Sequence, residues 1–231
     1  MNYKEIAWAA VIDYYIARNN GRYVELFRDK TLIYNLRHNP SSVTLEIFND
    51  KVKSDFLNSW GKMYLQDDTA KEIYDAIIEL NPFTLKVGNA TLMTCDLSSG
   101  STVCNVTEKI YNRLTGIWGI DMVGFSKIAH ILNDSLFPLI DKPIRRKYEK
   151  VYGISHSSGG YINWMIQMQK QAYAVVEDFH KQGFTGSPEI FLSQKLGYTS
   201  VGCNKSLVKF LDEYYWLTIT RGKPIPPKWI P

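Results

Sequence analysis

The sequence predicts an all-α fold, and three observations carry that expectation. Apolar residues recur at helical spacing along nearly the whole chain, strand-like alternation is scarce, and capping residues precede several of the runs. About ten amphipathic helices with scarcely a strand must bury their apolar stripes against one another, as in a bundle.

Residues 3–18 set Ile6, Ala9, Ala10, Ile12, Tyr14 and Ile16 among polar positions, and Asn19-Asn20-Gly21 closes that run. Residues 23–37 place Val24, Phe27, Ile33 and Leu36 near helical spacing, with Asn39-Pro40 as the stop and Ser41 or Ser42 as the next cap. Val43, Ile47, Val52, Phe56 and Trp60 then recur at four- or five-residue steps up to Gly61. Thr69 to Glu72 reads as a capping box opening a helix through Leu80, with Asn81-Pro82 ending it. Residues 82–104 are rich in Thr, Ser, Gly and Asn. They predict a long connection, with a short strand pair around Thr84–Val87, that could be a lid, a binding loop or a crossing.

Asn105 to Glu108 is a second capping box, for a helix through Leu114. A tight turn at Gly116–Asp121 leads to a helix over Met122 to Leu132. Asp141-Lys-Pro143 starts the next, since Asp caps well and Pro suits a first turn. Residues 161–182 carry Met165, Met168, Val175 and Phe179 on a face that reads as core. Ser187-Pro188 opens a short helix ending at Gly197, residues 205–219 form the last, and a Pro-rich tail follows Lys223.

The chain of 231 residues reads as one all-α domain divisible into two lobes, 1–104 with 205–231 and 105–204. Apolar residues (45%) and charged residues (22%) are in ordinary globular proportion. A net charge of +4 permits a polyanionic partner without requiring one. Cys95, Cys104 and Cys203 form no metal pattern; spacing allows a Cys95–Cys104 bridge, and free thiols suit a reducing compartment. His38, His156 and His180 lack ligand spacing, so neither metal nor small-molecule cofactor is expected. No signal-peptide pattern and no run of about 20 apolar residues occurs, which predicts a cytoplasmic protein away from membranes. Asn-x-Ser/Thr sites at Asn89, Asn105, Asn133 and Asn204 then have no export route to serve. Gly-x-Gly-x-x-Gly and Walker patterns are absent, which removes the common nucleotide-binding folds.

The stretch with chemical character is Ile110 to Tyr148. A helix, a Gly-containing turn and a second helix follow without a gap, and such a helix start offers unpaired N–H groups and a positive dipole end to a phosphate. A contact of that kind positions a protein on a nucleic-acid backbone without reading sequence. Then Phe137-Pro-Leu-Ile-Asp141 delivers one carboxylate to a new helix, with Arg145, Arg146 and Lys147 behind it.

Over these forty or so residues the chain resembles the helix-hairpin-helix DNA glycosylases, whose Gly-hydrophobic-Gly hairpin is followed by a helix and an essential Asp. The resemblance implies a two-lobed helical bundle binding DNA and cutting the N-glycosidic bond of a damaged base. Gly119-Ile120-Asp121 takes the hairpin's place, with Asp121 where the family has its second Gly, and Asp141 takes the place of the essential Asp. The resemblance puts Gly119, Ile120, Met122, Val123, Gly124, Lys127, Arg145 and Arg146 on the DNA backbone. It has Asp141 stabilise charge on the sugar or orient a water. The family's lyases also use a lysine, and in this register its position holds Val123; a register shifted to Val123–Lys127 makes Lys127 the nucleophile. The first register keeps the carboxylate spacing and implies a monofunctional hydrolase.

Each residue also has a plainer reading. Asp141 is an N-cap, Lys127 a solvated or phosphate-facing lysine, and the Arg145-Arg146-Lys147 run a solvated face. His130 is a satisfied histidine, and Tyr214-Tyr215-Trp216 is core rather than a base-stacking platform. The rival functions are a non-catalytic helical module for DNA or protein, and a purely structural bundle.

Overall fold

A computed structural model describes residues 1–16 and 20–223. The protein is all-α, with no strand among the described residues. No helix among them is long and apolar enough to cross a membrane. Eleven α-helices follow in order: α1 Tyr3–Ile16, α2 Asn20–Arg28, α3 Lys30–His38, α4 Leu45–Ile47, α5 Asp67–Thr84, α6 Thr102–Thr115, α7 Met122–Leu132, α8 Lys142–Tyr152, α9 Ser158–Lys181, α10 Pro188–Lys195 and α11 Leu207–Tyr215. Two helices continue in π winding, α4 through Phe48–Trp60 and α11 through Trp216–Thr220. One continuous apolar core, from Tyr3 to Tyr215, draws buried residues from every α-helix except the short α4 and from the first π segment, and Ile219 of the second π segment packs against it.

Several boundaries differ from the sequence expectation. The run over 23–37 is two helices, because Asp29 takes a non-helical backbone and its carboxylate caps α3 at the Leu32 amide, 2.9 Å away. The run expected from Val43 to Trp60 is π-wound over Phe48–Trp60, where Val52, Phe56 and Trp60, four residues apart, face the core, while Ile47 is exposed. Helix α5 starts at Asp67, not Thr69, and runs through Pro82. Leu80 and Thr84 on either side of the proline are buried, so the core face holds the helix past the missing N–H. Residues 17–19 and the tail from 224 lie outside the described residues.

The connection over 82–104 is packed down, not a strand pair. Val87, Leu92 and Leu97 are buried, and the Asn133 side-chain amide reaches the carbonyls of Val87, Gly88 and Ala90 at 2.9–3.3 Å. Gln169 binds the Leu92 and Cys95 carbonyls from the other side, at 2.7 and 2.9 Å. Ser101, rather than Asn105, caps α6. All three cysteines are free thiols, so Cys95 and Cys104 are not bridged. Met165 and Met168 are core, as their spacing implies.

One stretch between α7 and α8 is buried without being a helix. Backbone polar groups there need partners that no ladder supplies. Four side chains serve four successive carbonyls: His130 Nδ1 to Phe137 (2.8 Å), Tyr161 to Pro138 (2.8 Å), Trp164 to Leu139 (3.0 Å) and Ser126 to Ile140 (3.3 Å). Tyr161→Phe removes one donor and opens no cavity. We expect a loss of about 1–3 kcal/mol in urea denaturation. A change below about 0.5 kcal/mol, within the range of ordinary surface substitutions, would show that the Pro138 carbonyl needs no partner.

Candidate functional site

The clamped segment ends at Asp141. Its Oδ1 accepts the Ile144 amide at 2.9 Å, the N-cap expected from the sequence, and its Oδ2 accepts a hydrogen bond from the Thr220 hydroxyl. Thr220 belongs to the π segment after α11, which packs on α8. Asp141 is half-buried with both oxygens oriented, and an ionised carboxylate still has further acceptor positions.

Lys127 comes to the same place from α7. Ser126 beside it accepts the Ile140 amide at 3.2 Å, so the residue before Lys127 is tied to the residue before Asp141. The Lys127 ammonium donates to the carbonyl of Gly61, just past the end of the long π segment. Burial pulls its pKa below the usual lysine value, against the opposing pull of the Asp121, Asp141 and Asp212 carboxylates. The site is thus a half-buried amine, readier than a surface lysine to give up its proton, within electrostatic reach of three carboxylates.

A second lysine nearby is poised the other way. Lys209 on α11 is buried and pairs with Asp212 at 2.7 Å and Glu213 at 3.5 Å. Its ammonium lies 5.2 Å from the Tyr23 ring centre and 5.3 Å from that of Trp60. Burial works against its charge, but Asp212, Glu213 and Asp13 outweigh it and raise its pKa. Lys205, also buried, binds Glu213 at 2.6 Å and the Tyr198 hydroxyl at 2.8 Å. Despite full burial, the two lysines hold the Glu213 carboxyl below its ordinary range.

The hairpin between α6 and α7 has the expected boundaries and a different chemistry from the one expected of it. The Ile120 amide donates to Ile117 and the Gly124 amide to Asp121 Oδ1, at 3.1 and 3.0 Å. Met122 is fully buried. These three residues therefore have no free amide to offer a phosphate, because Asp121 caps the helix that a phosphate would cap. Arg145 also turns inward: it is buried, paired with Glu149 at 3.0 Å, and its Nε has no partner. Gly119 and Arg146 are exposed, and Val123 is half-buried with an apolar side chain. His130 is a buried neutral histidine, its pKa lowered by burial to about 4 and its Nε2 3.1 Å from the Tyr23 hydroxyl. Tyr215 and Leu217 are core, which fits the plainer reading of that aromatic run.

No protein-family model, no curated protein and no solved structure matches the chain.

Any functional reading therefore rests on the geometry. The structure ties Ser126, the residue before Lys127, to Ile140, the residue before Asp141, and leaves Lys127 within electrostatic reach of Asp141, while the Arg145 side chain turns to Glu149. Sequence reasoning missed Gly61, Lys209, Asp212 and Thr220, because nothing in their local sequence ties residues 61 and 205–220 to the hairpin. Ser126 did leave a signal, as a lone hydroxyl on the apolar face of α7. Among the described residues no cluster of His, Cys, Asp and Glu is arranged to hold a metal ion.

The depressed pKa of Lys127 has a definite consequence for stability. The unfolded chain keeps the ordinary value of 10.5, and the folded value is lower. Below the folded value both states are protonated and the buried ammonium costs stability; the cost is relieved as pH rises toward 10.5. The stability difference between wild type and Lys127→Met should therefore move in favour of wild type between pH 7 and pH 10, in urea denaturation at each pH. A difference independent of pH would show that burial does not weaken the charge on this amine.

Proposed function

We propose that the chain is a base-excision enzyme, a two-lobed helical bundle of the helix-hairpin-helix glycosylase kind that breaks the N-glycosidic bond of a damaged base in DNA. The observation that carries this reading is geometric: the half-buried Lys127 amine is held by the Gly61 carbonyl, its neighbour Ser126 binds the Ile140 amide just before Asp141, and the Asp141 carboxylate is fixed at the end of four clamped carbonyls.

The chemistry follows from those two groups. A neutral Lys127 amine attacks C1′ of the target nucleotide, and the base leaves with the electron pair of the C1′–N bond and takes a proton from water. Asp141 stays ionised and stabilises the positive charge that builds on the sugar. The adduct's proton passes to O4′ as the C1′–O4′ bond breaks and the ring opens, and a protonated Schiff base remains. This uses the shifted register, with Lys127 as nucleophile, in place of the monofunctional reading, because Val123 has no amine and Lys127 has one within electrostatic reach of Asp141. Exposed Lys142, Arg146 and Lys147 at the start of α8 supply cations for the backbone.

A second reading, a non-catalytic DNA- or protein-binding module, is favoured by the two hydrogen bonds that already occupy Asp141. Borohydride separates the two. With duplexes carrying a panel of damaged bases and an abasic site, wild type should leave a reduced covalent complex and Lys127→Gln should leave none. Asp141→Asn should slow base release by about 100-fold or more. Failure to trap an adduct or release a base on every duplex would end the enzymatic reading, and binding that falls with salt would then leave the module.

A further inference from the structure

Each of the two π segments ends on one member of the candidate pair. The first, Phe48–Trp60, is followed by Gly61, whose carbonyl receives the Lys127 ammonium. The second, Trp216–Thr220, closes with the Thr220 hydroxyl donating to Asp141 Oδ2. π winding is rare, and where it occurs it is frequent at functional sites.

The first end is a fixed wall. Phe48, Val52, Phe56 and Leu57 are fully buried in the main core. A Cβ on Gly61 would stand 2.5 Å from the Leu57 carbonyl oxygen, so the chain there is packed to its limit. The Asn58 side chain binds the Leu65 amide and carbonyl at 2.7 and 3.2 Å, which ties down the loop that follows.

The second end is held far more lightly. Leu217 is its one buried residue, and it lies with Trp8 and Ala9 in a small cluster apart from the main core. Backbone bonds close the segment on itself: the Arg221 amide meets the Trp216 carbonyl at 2.9 Å and the Lys223 amide the Leu217 carbonyl at 3.1 Å. Gly222 between them has a φ of +60°, the left-handed turn that ends a helix. Among the described residues the segment makes one side-chain hydrogen bond outside its own helix, that of Thr220 to Asp141. A unit with few buried apolar contacts and its backbone bonds satisfied internally opens at low cost.

The bond it makes bears on the chemistry. Asp141 Oδ1 is committed to the Ile144 amide, as the cap of α8 requires. Oδ2 is the other oxygen, and a donor on an ionised oxygen stabilises the charge where it stands. A cation developing on a ligand has to compete with that donor.

We propose that the second π segment is a latch on Asp141. Thr220 occupies Oδ2 in the resting protein, and local opening of residues 216–223 returns that oxygen to a ligand in the site. This rests on the reading of Asp141 as the working carboxylate and adds how access to it is controlled. Lys127 has no such release, because Gly61 is fixed by the core.

The test begins with hydrogen exchange, followed by NMR, in the full chain without ligand. The Arg221 and Lys223 amides should exchange through local opening, faster than those of Ile110 and Met168 on the buried faces of α6 and α9. Thr220→Val keeps the shape of the side chain and removes the donor. It should speed the first two amides by about ten-fold and leave the core amides unchanged. Thr220→Ser, which keeps the donor, should stay within about three-fold of wild type. A second arm uses a duplex with an abasic site and borohydride, where Thr220→Val should form the adduct about two- to ten-fold faster than wild type. Arg221 and Lys223 exchanging only together with the core would overturn the latch. So would Thr220→Val leaving them unchanged or speeding all amides alike. Slower adduct formation in Thr220→Val would also overturn it and make Thr220 a positioning residue for Asp141. The two proposals fail separately: local opening that depends on Thr220, without an adduct on any duplex, removes only the enzyme, and an adduct whose rate ignores Thr220 removes only the latch.

Discussion

Four buried carbonyls in a row, from Phe137 to Ile140, are the constraint on which the rest of the site depends. Leaving even one unpaired would cost on the order of 1–3 kcal/mol. The chain answers with an imidazole, a phenol, an indole and a hydroxyl drawn from α7 and α9. The imidazole is held in turn by Tyr23 of α2, so three helices are committed to one short segment. What they fix is the direction in which Asp141 leaves the core. A polar network of this kind rigidifies its surroundings only when every member is satisfied.

The charged residues follow that logic in part, since both lysines meet Glu213 at Oε1 and its Oε2 has no hydrogen-bond partner. Glu213 is an otherwise costly buried carboxylate, compensated by Lys205 and Lys209. Lys209 then lies over the Trp60 ring, Trp60 ends the π segment, and the next carbonyl, that of Gly61, receives Lys127. Asp212, held by Lys209, is one of the carboxylates that Lys127 feels. Two lysines in one neighbourhood are thus given opposite tasks. Lys209 is surrounded by enough negative charge to stay a cation, whereas Lys127 is desolvated faster than its carboxylates compensate. Amine chemistry requires the second condition and is prevented by the first.

The sequence made much of this legible where the signal was local. The hairpin, the α7 boundaries and the Asp141 cap follow from a Gly-containing turn, a helical stripe and an Asp-x-Pro start, and all three are found where expected. The break at Asp29 and the continuation of α5 through Pro82 were not legible, since a cap in one case and core burial in the other overrode the local pattern. The π winding was not legible either, since the steps from Val52 to Phe56 to Trp60 are four residues each and suit an ordinary α-helix. The site was half legible for a related reason. Lys127 and Asp141 lie in one motif, while Gly61 and Lys209 to Thr220 join them only through tertiary contacts spanning more than 60 residues. The expected phosphate grip at Ile120, Met122 and Gly124 failed on one residue, because Asp121 supplies internally the negative charge that the helix start would take from DNA.

Lys127 and Lys209 are poised in opposite directions around the shared Asp212 carboxylate, and lysine side-chain NMR measures the difference directly. In protein labelled with 13C at lysine Cε, with Lys127→Gln and Lys209→Gln to assign the two resonances, Lys127 should titrate below the exposed lysines and Lys209 above them. Lys127 titrating together with or above the surface lysines would contradict the account, because the amine beside Asp141 would then be an ordinary cation.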